Sequence, residues 1–161
     1  MGAIANINDV MTGFNPRDIG NVDLVTEHSD EIGHSAIVRT GTVNNDSSII
    51  SFGPDEGEFS LNPFIGTKGK NTWSNYTGSS KPIWRTNITG INKSKITSYG
   101  LRLSNDTPDY NLYFSSCVTH TSMALARSGF LNIGIHPYLL HAQAYLRELG
   151  LRTYFSHYLQ N

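Results

Sequence analysis

The chain has a single cysteine, Cys117, in 161 residues. An internal disulfide is therefore excluded, as is a zinc site built from several thiolates. Charge is sparse and balanced: 12 Lys and Arg stand against 13 Asp and Glu, for a formal net charge of −1. A protein held to nucleic acid by phosphate contacts would be basic, so no nucleic-acid partner is expected. No apolar stretch approaches the roughly 18 residues of a membrane span, so no stable membrane anchor is expected. No signal-peptide pattern opens the sequence, which points to a protein that is cytosolic or exported without its own signal peptide. Internal repeats and low-complexity tracts are missing too, and neither cofactor nor metal is expected.

What is present describes one ordinary domain. Hydrophobic residues make up 38% of the chain and aromatic residues 11%, enough for one sizeable core at this length. Residues 1–31 are rich in Asn, Gly and Asp and read as a loosely structured lead-in, with the domain proper spanning 32–161. Gly33–Arg39 and Ser48–Phe52 read as a hairpin around a polar turn at Val43–Asp46. From Gly53 to about Ser80 the composition suggests a long ordered loop or short irregular strands. Trp84–Ile88 reads as a third strand. Ile96, Tyr99 and Leu103 recur at helical spacing between Asn92 and Leu103. A helix opening at Cys117 stops at Gly129, Ile133–Ile135 reads as a short extended piece, and a last helix runs from Pro137 to about Leu149.

Cys117 sits where a reactive thiol would be placed, against the plainer reading that a lone cysteine is usually a small buried hydrophobe. With Ser115 or Ser116 as N-cap, it opens a helix whose unpaired N–H groups and partial positive charge favour a thiolate. A thiol nucleophile also needs a base, usually an imidazole, oriented by a third polar group. Of the six histidines, His28 and His157 read as surface residues and His141 as a packing residue. His120 lies one turn beyond Cys117 on the same helix, and His136 lies just before Pro137. His34 opens a strand whose return strand carries Ile49 and Ser51 on one face by the two-residue period. Ser51 can therefore stand beside His34.

A strand opening with Gly33-His34, a return strand ending Ser51-Phe52-Gly53, and a downstream Tyr110-Asn111-Leu112…Cys117 helix start together resemble the circularly permuted papain-like fold of the NlpC/P60-type hydrolases. In that order the histidine strand precedes the cysteine helix. The resemblance covers roughly Ile32 to Gly129. It implies an α+β fold, a small antiparallel sheet packed on the helix that carries the nucleophile. It also implies Cys117 as nucleophile, His34 as base and Ser51 at the third polar position. Ser116 stands where many permuted members carry Asn. The chain also resembles the C-terminal toxin domains of RHS-type polymorphic toxins, including the stretch Asn132–His141. That likeness implies delivery inside a larger secreted protein, for example by a type VI secretion apparatus, with the RHS core and a cognate immunity protein as partners.

The chemistry implied is thiolate attack on an acyl carbon, with His34 shuttling the proton and the Cys117 N–H serving the oxyanion. Both the helix start and His34 are expected to lower the thiol pKa. Amide hydrolysis of a peptide-like substrate ranks first. Acyl-lipid hydrolysis or acyl transfer comes second, with Phe59, Phe64, Trp73 and Tyr76 as a possible apolar collar. A non-catalytic partner-binding module is the rival from another class. A nuclease built on Asp55, Glu56 and Glu58, or an ADP-ribosyltransferase built on Arg39 and Glu148, fits less well.

Overall fold

A computed structural model of the chain describes residues 16–28, 33–41, 48–55, 65–71 and 83–158. Among the described residues, six strands and three α-helices follow a short 3-10 turn at Pro16–Asp18. They are β1 (Ile19–Glu27), β2 (His34–Arg39), β3 (Ser48–Ile50), β4 (Phe52–Pro54), β5 (Gly69–Asn71), β6 (Ile83–Asn92), α1 (Lys93–Asn105), α2 (Cys117–Arg127) and α3 (Pro137–Tyr158). The main sheet is antiparallel in the order β3-β2-β1-β6, and β4 pairs with β5 in a separate ribbon. The architecture is α+β, with a small antiparallel sheet.

The first correction falls on the lead-in. Residues 19–27 are a central strand, bonded to β2 on one side and β6 on the other, so a domain boundary at residue 31 would cut through the sheet. Polar residues disguise this strand. Asp23 is buried but accepts from Arg85 and Asn87, and buried Thr26 bonds His141 Nδ1 at 3.0 Å. Val22 and Leu24 belong to the main core with Ile37, Ile50, Phe52, Ile88 and Leu125. The earlier part of the lead-in, residues 1–15, and the turn at 43–46 lie outside the described residues.

The expected hairpin forms, but its return strand breaks. β3 ends at Ile50, and Phe52 already belongs to the second ribbon, leaving Ser51 at the junction. A register irregularity between Ile37 and Val38 accompanies the break. The third strand is longer than Trp84–Ile88 and runs directly into α1. Asn92 caps that helix, its side chain accepting from the Lys95 N–H at 3.1 Å.

Ser116 caps α2, accepting from the Thr119 N–H, and Gly129 at φ 105° follows its last turn. The segment Ile133–Ile135 forms no strand. Instead the Gln143 carboxamide accepts from the Ile133 N–H and donates to its carbonyl, both at 2.9 Å. α3 runs past Leu149 to Tyr158 because Gly150, which costs only about 1 kcal/mol inside a helix, does not stop it. His141 and Glu148 fasten α3 to the sheet. His141 Nε2 meets Thr86 at 3.0 Å, and Glu148 accepts from the Thr89 N–H and hydroxyl at 3.1 and 2.7 Å.

Candidate active site

The site forms where α2 starts against the first residues of β2. Gly33 has φ 71°, a conformation only glycine adopts without strain, and it turns the chain into β2 so that His34 opens the strand. Thr121, one turn into α2, donates to the Ser35 carbonyl at 3.2 Å. The Ser35 amide in turn faces the Cys117 sulfur, as do the amides of Cys117 and Val118 at the helix start. The nucleophile candidate is thus bound to the residue next to the base candidate.

His34 Nε2 lies 3.2 Å from Ser51 Oγ. Ser51 reaches this place because it sits where the chain leaves the main sheet. It is held there by Asn71 on β5, whose Oδ1 accepts from the Ser51 N–H at 2.8 Å. The same carboxamide donates to the carbonyls of Ile49 and Gly100 and to Ser104 Oγ. One side chain therefore ties β3, β5 and α1 together behind the serine. Asn71 was not among the sequence candidates. Its contacts lie 20 to 33 residues away along the chain, and a lone Asn in a Gly/Asn/Thr-rich stretch carries no local signal.

Electrostatics correct a second expectation. Cys117 is 4% exposed and lies in the main hydrophobic core, and burial pushes its pKa up to about 11 despite the three amides that pull it down. Removing a thiolate from water costs more than one helix start returns. Burial also lowers His34 to about 4. At neutral pH the two groups rest as thiol and neutral imidazole. Tyr110, packed at 5.8 Å between ring centres from Phe52, is likewise held protonated by burial and by the nearby Cys117.

The remaining histidines are engaged elsewhere. His120 shares the helix with Cys117, but its Nδ1 meets the Tyr99 hydroxyl at 2.7 Å and its Nε2 meets Ser115 Oγ at 3.1 Å. Phe52 packs edge-on against the same ring. His136 accepts from the Tyr138 N–H at 3.3 Å, and His28 stacks on Tyr138 beside Trp84. His141 is the packing residue described above. The aromatic collar residues Phe59, Phe64, Trp73 and Tyr76 lie outside the described residues, as do Glu56, Glu58 and the side chain of His157. Asp55 pairs with Lys68 and Lys70 at 3.3 and 3.1 Å. Buried Glu148 is committed to Thr89 and Arg147, while Arg39 is exposed at the far end of β2.

Comparison with protein-family models, with curated proteins and with solved structures finds no match for this chain.

Proposed function

We propose that the chain is a cysteine-dependent amide or peptide hydrolase of circularly permuted papain-like type, with Cys117 as nucleophile, His34 as base and Ser51 as the group that orients it. The observation that supports this reading is the 3.2 Å contact between His34 Nε2 and Ser51 Oγ, one residue along β2 from the Ser35 backbone that hydrogen-bonds Cys117. With Nε2–H donating to Ser51, Nδ1 takes the base role. As Sγ bonds to the acyl carbon, the thiol proton passes to Nδ1 and then to the departing amine, leaving a thioester. Water, deprotonated by the same nitrogen, releases the acid and restores the thiol. Because the resting pair is neutral, proton transfer accompanies attack instead of preceding it. The backbone N–H groups at the start of α2 would serve the oxyanion.

The resemblance to RHS-type toxin domains supports a biological setting: an antibacterial effector delivered within a larger secreted protein and neutralised by an immunity protein that covers this site. Expression of the chain in a bacterial host tests both levels. Cys117→Ala and His34→Ala are each expected to abolish toxicity and hydrolysis while keeping the fold by circular dichroism. Full activity in both folded variants would sink the hydrolase reading and favour a partner-binding module.

A further inference from the structure

The turn that leads into α2 is built rigidly around two exposed aromatic rings. Asn111 and Ser115 exchange backbone hydrogen bonds, both at 2.9 Å. Between them, Asn111 Oδ1 accepts from the N–H groups of Tyr113 and Phe114 at 3.0 and 3.2 Å. Both ends of the turn are anchored. Ser115 bonds His120 Nε2, which is itself held by Tyr99. Tyr110 pairs with Thr67 through two backbone bonds at 2.9 and 2.6 Å, and Asn111 Nδ2 donates to the Ile65 carbonyl.

This framework leaves Tyr113 57%, Phe114 59% and Ile65 52% exposed. Phe114 and Tyr113 precede Cys117 by three and four residues, so their Cα atoms lie within about 11 and 14 Å of it at full extension, and closer in a turn. Large apolar side chains held in water beside a reactive centre favour an apolar partner group. No Asp, Glu, Lys or Arg lies between Tyr110 and Arg127 in the sequence.

We infer that Tyr113 and Phe114, with Ile65, form a specificity wall for a peptide whose acyl-side residues carry apolar side chains, aromatic or branched aliphatic. This rests on the hydrolase reading and narrows it. A protein segment rich in such residues fits the wall, whereas the short polar stem peptides of peptidoglycan do not.

Activated p-nitrophenyl esters of N-acetyl-phenylalanine, -leucine and -glycine, with p-nitrophenyl octanoate alongside, test the inference on the full chain. The phenylalanine and leucine esters are expected to exceed the glycine ester in kcat/KM by at least about tenfold, the scale of burying a few methylenes. In Tyr113→Ser/Phe114→Ser, folded by circular dichroism, that ratio should fall below about threefold. Cys117-dependent turnover with no side-chain preference, or with a preference the double variant keeps, overturns the wall and leaves the hydrolase standing. Octanoate outpacing every amino-acid ester about tenfold overturns the peptide assignment in favour of a lipid acyl chain. Absence of Cys117-dependent turnover on any ester removes the hydrolase reading itself and the wall with it.

Discussion

His34 and Ser51 meet at 3.2 Å although they lie on opposite arms of a hairpin whose second arm has already left the sheet. Their contact depends on a residue that touches only one of them, Asn71, which fixes Ser51 through its backbone. Asn71→Ala removes one acceptor and three donor contacts and takes from the Ser51 N–H the side-chain acceptor it has at 2.8 Å. The expected loss is about 2–3 kcal/mol, against about 1 kcal/mol for Ser51→Ala. Urea unfolding of the two variants checks the order, and a smaller loss for Asn71→Ala would remove it from the site's framework.

Acid should weaken the fold in a defined window. Burial lowers His34 and His120 from 6.5 to about 4, and lowers His141 as well. Such groups bind protons more readily in the unfolded chain. Their contribution is complete above pH 6.5 and is lost as pH falls toward 4, at most about 3 kcal/mol for each of the first two. Chemical denaturation at pH 7.5, 5.5 and 4.5 should give a falling series, with a shallower fall in His120→Gln. A flat series would show that these rings are not desolvated in the folded protein.

The thiol should titrate late. With its pKa pushed up to about 11, alkylation of Cys117 by iodoacetamide is expected to accelerate about tenfold per pH unit from 7 to 10. His34→Ala should leave that slope in place. A rate already level at pH 6 would reveal a preformed thiolate–imidazolium pair, in conflict with this burial.

Where local chemistry decided the outcome, it could be read from the residues. Ser116 capping α2, Gly129 ending it and Asn92 preceding α1 each follow from a cap or a breaker, whereas Ser51 meets His34 from the junction beyond β3 and not from within a strand. Where distant groups decided it, the sequence was silent. Asp23 and Thr26 look like solvent-facing residues until Arg85, Asn87 and His141 are brought beside them, so β1 was hidden among polar neighbours. The thiol shows the same limit. Its helix start is visible in the residues, but the burial that outweighs three amides is set by the strands and helix packed around it.

The sheet order also says when the site comes into being. β1 must find β6 across 64 residues, and α2 must settle on β2 across 86. Such high contact order makes these closures slow relative to local turns and helices. Acyl chemistry would therefore switch on only as the last long-range closure is made, so folding itself acts as the timer of the proposed activity.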